Sequence, residues 1–382
     1  MIYKEIINKN LNTRAEISAF EVKLGASEYH VMLHVNTRKA DFKTQLFHLQ
    51  EAYKELLSSA FAKEVKPVMK RYFLSDATNQ TDAVKESEKQ YDPCAVSIVQ
   101  QPPLDGSKIA LWVYLQSDIR TSFNGQLIAE HNGYTHYWMA GLNTAHGDSE
   151  AQSAILLDNY EKQLEEVQCD IEKDCVRTWF FVQNVDVNYP GVVKARKENF
   201  AAHGMTENTH YISSTGIEGR HADPHVSVLL DAYSVKGLWK GQQKYLYALS
   251  HLNPTYEYGV TFERGTAIVY GDRIQSYISG TASIDNKGNV IYVGDIINQV
   301  YRMWENVEAL LSEAESTFDN LSQMIVYLRD MADYETVKDM FDERFPYVPK
   351  IIVLASVCRP GWLIEMECIT VKEQCNSIFR NY

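Results

Sequence analysis

A chain of 382 residues, 45% hydrophobic and 23% charged, is long enough for two or three domains with a large buried core. Its formal net charge of −13 argues against a nucleic-acid binder, which neutralises phosphates with basic patches, yet leaves room for a small anionic metabolite held by a local cluster of Arg and Lys. No apolar run approaches the ~20 residues of a membrane span, MIYKEIINKN has no apolar signal segment, and Cys94, Cys169, Cys175, Cys358, Cys368 and Cys375 show no CxxC or zinc spacing, so the expectation is a cytoplasmic protein with reduced thiols, no membrane partner and no metal.

In chain order, the first elements are strand EYHVMLHV, helix DFKTQLFHLQEAYKELLSS, strand VKPVMKRYFLSD, helix ATNQTDAVKESEKQ, and strands CAVSIVQQPP and SKIALWVYLQ. Next come strand THYWMAGL, helix DSEAQSAILLDNYEKQLEEV and strand CVRTWFFVQNVD. A helix YPGVVKARKENFAAHG follows, with Pro near its start and Gly at its end, and then strands HYISSTGIEG and HVSVLLDAYSV. The third set opens with paired strands YGVTFERGTAIVYG and IQSYISGTAS around a Gly-Asp turn. Ile296, Val300, Trp304, Val307 and Leu311 then mark one face of a helix. Strand LSQMIVYLRD follows, then a helix YETVKDMFDERF capped by Asp333. Two strands joined at Arg359-Pro360-Gly361 close the set.

The order of elements repeats with a period of roughly 120 residues, far above the ~20–50 of solenoids, so each copy is a domain-sized unit: 1–120, 121–245 and 246–382. Each is a sheet apolar on one face with two helices to cover it, which is an α+β fold. Three such units in one chain suit a pseudo-trimer, either as a monomer or within a homo-oligomer.

The segment KIIVLASVCRPGWLIEMECITV carries Glu365 and Glu367 inside an apolar run. Side chains alternate along a strand, so the two glutamates share the face opposite Ile364, Met366 and Cys368, ~7 Å apart. The matching strand of the second copy has Leu229 and Asp231 there, so the chain predicts one working site rather than three. Repulsion and desolvation raise at least one of the two pKa values, and a carboxylic acid protonated near neutral pH is a general acid. The bland alternative is that both glutamates face solvent or a neighbouring helix.

The third copy, from Tyr256 to Val371, resembles the RidA/YjgF family in Ser279-Gly280, Gln299, Glu305-Asn306-Val307, Tyr327-Leu328-Arg329-Asp330-Met331 and Ile364-Glu365-Met366-Glu367. That resemblance implies a chorismate-mutase-like fold, usually a trimer with sites in the clefts between subunits. Deaminases of that family hold the substrate carboxylate with an arginine at the start of the penultimate strand, where this chain has Lys350, a point charge in place of a fork. The last two copies together are similar to the chorismatase family. The matching runs are Arg177-Thr178-Trp179, Ala195-Arg196, Ser214-Thr215-Gly216-Ile217, Phe262-Glu263-Arg264, Ile278 to Ser283, Gly294-Asp295 and Gln299. The family's histidine-bearing segment after the Ser-Gly-Thr-Ala-Ser run reads IDNKGNVIYVGD here, without histidine.

The chorismatase resemblance implies cleavage of the enol ether of chorismate to pyruvate plus a hydroxybenzoate or a dihydroxy-dihydrobenzoate, with no cofactor. It implies Glu365 as the acid that protonates the enolpyruvyl methylene, and Cys358 as the cysteine that accompanies members making 3-hydroxybenzoate. A small buried residue at a turn is the plain alternative for Cys358. A dianionic substrate needs cations, and the candidates are Arg177, Arg196, Arg220, Arg264 and Lys350. The expected substrate contacts are Arg177, Thr215, Gly216, Arg264, Lys350 and Glu367. The rival readings are a deaminase of enamines or imines, and a non-catalytic member that binds a small carboxylate or a partner protein.

Overall fold

The computed structural model describes residues 1–382 and contains three six-stranded sheets of one topology. The first is built from β1 (Ile2–Asn8), β2 (Thr13–Phe20), β3 (Glu28–Val35), β4 (Val65–Leu74), β5 (Ala95–Gln100) and β6 (Ile109–Ser117), in the spatial order β1-β2-β3-β6-β4-β5. The second has β7 (Arg120–Phe123), β8 (Leu127–His131), β9 (Tyr134–Asn143), β10 (Cys175–Val182), β11 (Ser213–Glu218) and β12 (Val228–Lys236), ordered β7-β8-β9-β12-β10-β11. The third has β13 (Gln243–Leu246), β14 (Gly265–Val269), β15 (Arg273–Ala282), β16 (Leu321–Leu328), β17 (Lys350–Leu354) and β18 (Ile364–Glu373), ordered β13-β14-β15-β18-β16-β17. In each sheet the fourth and fifth strands run parallel, joined by a helix, and the sixth inserts antiparallel between the third and fourth.

Helices α1 (Phe42–Ser59) and α2 (Ala77–Glu88) serve the first sheet. Helices α3 (Ser149–Glu166), the single turn α4 (Ile171–Asp174) and α5 (Val185–Ala202) serve the second. Helices α6 (Ile296–Glu313) and α7 (Tyr334–Arg344) serve the third. The long helix of each unit starts at an aspartate whose side chain accepts from a backbone N–H of the first turn: Asp41 from Thr44, Asp148 from Ala151 and Asp295 from Asn298. The buried stripe of α6, with Val300, Met303, Trp304, Val307 and Leu310, packs on the third sheet, and its spacing of three and four is why this segment is helical.

Alternation along the strands sorts the two faces. In β10, Phe180 and Val182 pack with the helices, while Arg177, Trp179 and Phe181 point the other way. In β4, Tyr72 and Leu74 face the helices and Met69, Arg71 and Phe73 face away. The three helix-free faces meet in one continuous core that holds Met32, Trp112, Trp138, Trp179, Tyr233, Tyr277 and Tyr327. Backbone pairing stitches neighbouring units together, as in Glu218 N–H to Ser356 O at 3.1 Å and Glu263 N–H to Ile212 O at 3.0 Å. All six cysteines are free thiols, and no helix is long and apolar enough to cross a membrane.

Several elements depart from the expectation. The hairpin β1–β2, the hairpin β7–β8 and β13 extend the sheets beyond the expected strands. Helix α5 begins at Val185 rather than Tyr189, so Pro190 lies inside it with no N–H to give the Asp186 carbonyl. Of YGVTFERGTAIVYG, only Gly265–Val269 is strand; Thr255–Tyr258 forms a 3-10 turn, and Gly259 follows at φ +85°, a conformation glycine takes without strain. Asp333 precedes α7 but makes no side-chain cap, while Asp330 accepts from Ala332 N–H one turn earlier.

Candidate active site

A cavity of about 440 Å³ lies in the cleft between the second and third units. Tyr189, Pro190, Val193, Lys194 and Lys197 of α5 form one wall, and Ser214 and Gly216 of β11 continue it. The opposite wall is Gly280 and Ala282 of β15 with the irregular segment Tyr258–Arg264. Cys358, Arg359 and Trp362, in the connection from β17 to β18, close the end, and Glu365 of β18 forms the floor.

Two close approaches set this floor. A Cβ on Gly280 would overlap Glu365 Oε1 and come within 3.1 Å of Thr215 Cγ2, so the missing side chain is what lets the carboxyl lie over β15. A Cβ on Gly216 would stand 2.5 Å from the Tyr189 ring, so this glycine lets α5 lie close against β11. Glu365 sits opposite Ala282 on one side and Tyr327 on the other.

Glu365 and Glu367 share a face, as the alternation predicts, but their surroundings differ. Glu367 is 2% exposed and bound on both oxygens: Trp179 Nε1 donates at 2.9 Å to Oε1, and Arg177 Nη2 at 2.9 Å and Thr215 Oγ1 at 2.5 Å donate to Oε2. Arg71 of β4, in the first unit, brings Nη1 to 3.6 Å from Glu367 Oε1 and Nη2 to 3.0 Å from Asp231 Oδ2. Glu365, 5% exposed, has no ion-pair partner. Burial first, and the charge of Glu367 second, push its pKa up to about 8 against the weaker pull of Arg177 and Arg264. The shift favours the protonated, uncharged form near neutral pH.

Besides Lys194, Lys197 and Arg359 on its walls, the cavity has three buried arginines at or behind it, of two kinds. Arg177 is spent within the protein on Glu367, Thr215 and Ser279. Arg196 and Arg264 are different. Arg196 is fully buried behind Ser214, donates only to Ser214 Oγ at 3.2 Å, and leaves Nε and Nη2 without a partner. Arg264 is 4% exposed, lines the cavity, donates to the Asn253 carbonyl at 3.0 Å and leaves Nε unpartnered. Both guanidiniums lie near the Phe262 ring, at 5.7 and 5.6 Å from its centroid, and neither forms an ion pair. A buried charge without a counterion is costly, which makes this the place for an anionic ligand.

Of the residues expected at the site, Glu365, Cys358, Gly216 and Arg264 line the one cavity. Thr215, Arg177 and Glu367 stand directly behind the floor, linked to each other, with Gly280 N–H donating to Thr215 Oγ1 at 2.9 Å. Their groups are turned toward one another rather than into the open volume, which corrects the expectation of direct substrate contact for these three. Lys350 is the larger correction. It faces the next cleft, between the third and first units, where Nζ donates to Phe345 O at 3.0 Å and meets Asp342 Oδ1 at 3.1 Å. That cleft is smaller, about 130 Å³, and its own ions pair off. There burial would raise the pKa of Glu16, but His34, Arg14 and Lys350 outweigh it and hold the carboxylate at about 2.

Cys358 is a neutral thiol, its pKa pushed up to about 12 by burial and then by Glu365. Tyr189 and Tyr258 bracket Glu365 from α5 and the 3-10 turn, and sequence reading passed over both. Arg196 was a candidate whose burial a helical position could not reveal. Arg220 is an exposed loop residue, as expected.

Comparison with known proteins agrees with this architecture. The family model described as endoribonuclease L-PSP matches residues 266–372. A RutC family protein of Pyrococcus abyssi is 33% identical over 99 residues, covering 25% of this chain and 78% of that protein. The 3-aminoacrylate deaminase RutC of Acinetobacter baylyi is 28% identical over 95 residues, 24% of this chain and 75% of that protein. Among solved structures, a chorismatase superposes with a TM-score of 0.64 at 15% identity, over 82% of this chain and 95% of that one. The family-model match falls in the third unit, whereas the structural match spans most of the chain, so the fold is that of three fused units. The chain belongs to the RidA/YjgF superfamily, the group of the RutC and endoribonuclease L-PSP proteins.

Proposed function

We propose that this protein cleaves the enol ether of a chorismate-type dianion, with Glu365 as general acid. The observation that carries the reading is the pairing of one neutral, buried carboxylic acid with two buried guanidiniums, Arg196 and Arg264, that lack counterions. A dianionic ligand supplies the missing negative charge, with Arg264 on the cavity wall and Arg196 behind Ser214, and its enolpyruvyl methylene is a carbon base that a carboxylic acid near its pKa can protonate. Likeness of fold to a chorismatase supports the same reading.

Glu365 gives its proton to the methylene carbon and becomes a carboxylate, and the adjoining carbon becomes an oxocarbenium ion. In the hydrolytic branch water adds to that carbon, Glu365 takes a proton back, and the hemiketal collapses to pyruvate and a dihydroxy-dihydrobenzoate, with one water consumed. In the second branch the neighbouring ring hydroxyl returns its proton to Glu365 and attacks the carbon that bears the pyruvate oxygen, so that pyruvate leaves as an epoxide closes; breaking the epoxide's original C–O bond, protonating its oxygen and losing a ring proton then leaves 3-hydroxybenzoate with no water consumed. The developing cation sits above the newly formed Glu365 carboxylate, which stabilises it. Cys358, an uncharged thiol on the cavity wall, presents an apolar surface that excludes water and so favours the second branch.

The test is to supply chorismate in D2O and analyse the products by mass spectrometry. Proton transfer to the methylene requires one deuterium in the methyl group of pyruvate; pyruvate without that deuterium contradicts the mechanism. The likeness to 3-aminoacrylate deaminase RutC favours a second reading, hydrolysis of an enamine or imine acid in the same cavity. That activity releases ammonia from imino acids and leaves chorismate untouched.

A further inference from the structure

The first unit contributes nothing to the cavity wall, yet its Arg71 reaches the centre of the molecule. Arg71 is fully buried, stacked near Trp112, Trp179 and Phe181 at 4.9–5.4 Å, and its guanidinium lies between Asp231 of the second unit and Glu367 of the third. Asp231 Oδ1 also accepts from Gly141 N–H at 2.7 Å. Together with Arg177, this makes a closed set of two guanidiniums and two carboxylates, none of them more than 2% exposed.

We propose that the Arg71–Asp231 pair is a positioning device for the proton of Glu365: by completing a balanced set of charges behind the floor, it keeps Arg71 from adding to the pull that Arg177 and Arg264 exert on the third carboxyl. The inference rests on the reading of Glu365 as an acid and gives the otherwise silent first unit a part in it. A surplus cation in this set would draw Glu365 toward its carboxylate form; a balanced set does not. The other groups facing Glu365 are accounted for. Glu367 lies beside it on β18, Arg177 on β10, Arg264 before β14, Tyr327 on β16, Tyr189 on α5, Tyr258 on the 3-10 turn and Cys358 on the closing connection. The tyrosines and the thiol are neutral, so the balance is decided by the arginines and carboxylates.

The experiment is a titration of the full chain labelled with 13C at the glutamate carboxyl, with the Glu365 resonance assigned by its loss in Glu365→Gln. Asp231→Asn keeps the oxygen that accepts from Gly141 but removes one anion. Its surplus positive charge lowers the Glu365 midpoint by about one pH unit. Adding Arg71→Met to that variant removes the matching cation and returns the midpoint toward the wild-type value, a rescue that a merely structural role for Asp231 would not produce. Where Asp231→Asn does not fold, Arg71→Met alone removes one cation of the set and shifts the Glu365 midpoint upward. A midpoint that stays put in Asp231→Asn, or in Arg71→Met where that variant is used, overturns the proposal. Because no substrate is present, the result stands apart from turnover: a shift without pyruvate release keeps the charge device and sinks the enol-ether reading, and pyruvate release without a shift does the reverse.

Discussion

Glu365 and Glu367 stand two residues apart on one face of β18, and only Glu367 is held by guanidiniums, from Arg177 at 2.9 Å and Arg71 at 3.6 Å. Of two like groups on one strand, the one without a guanidinium partner, Glu365, has its pKa pushed up by burial and then by Glu367. Each consequence below follows from that difference.

Stability is the first. The Glu365 carboxyl has a folded pKa of about 8 against 4.5 for the free group, so the folded chain binds more protons than the unfolded one between those values. Stability from this group is therefore lost as pH rises from about 4.5 to 8, with a limiting slope of about 1.4 kcal/mol per pH unit. Glu365→Gln removes the slope. Its Tm relative to the wild type is expected to rise steadily from pH 5 to pH 8. A gap that is flat with pH shows that Glu365 is not held protonated.

The cations give a second contrast. In the proposed complex Arg264→Met removes one charged contact to a ligand carboxylate, worth roughly 1.5–3 kcal/mol, so kcat/KM for chorismate falls by about 10–100-fold, and Arg196→Met, behind Ser214, lowers it less. Lys350→Arg sits in the other cleft on Asp342 and leaves that value unchanged. If Lys350 variants lose turnover and Arg196 and Arg264 variants keep it, the cavity has been assigned to the wrong cleft.

Gly280→Ala tests the floor itself. The added methyl overlaps Glu365 Oε1, so the carboxyl must turn away from its place over β15. Activity is expected to drop on the order of 100-fold while circular dichroism and Tm stay close to wild type. Full activity in this variant contradicts the position given to Glu365.

Cys358→Ala separates the two branches. The thiol is neutral and is not the acid, so total pyruvate release persists while chromatography shows a larger share of the dihydroxy-dihydrobenzoate. An unchanged product ratio removes Cys358 from the choice between branches.

Much of this was legible in the sequence, for physical reasons that can be named. The long helices announced themselves through a leading aspartate and a stripe such as Val300, Trp304, Val307 and Leu311, and the glutamate pair stood out because alternation puts both carboxyls on one face. Edge strands did not. IYKEIIN and RTSF are mostly exposed and mix charges with apolar residues, so hydrogen bonding to a neighbour, not their own pattern, makes them strands. Pro190 misled in a different way, since Pro near a helix start is the usual reading and here it follows a full turn begun at Val185. Lys350 shows the deeper limit. A strand position tells which face a side chain takes but not which of three similar clefts that face meets, and Arg71, Arg196 and Asp231 acquire their meaning only when three units come together.

The most direct measurement is pyruvate release from chorismate by the wild type and by Glu365→Gln, with folding of both checked by circular dichroism. The expected result is steady release by the wild type and a loss of at least about 100-fold in the variant. Release that survives the substitution, or a folded wild type that yields no pyruvate, contradicts the account.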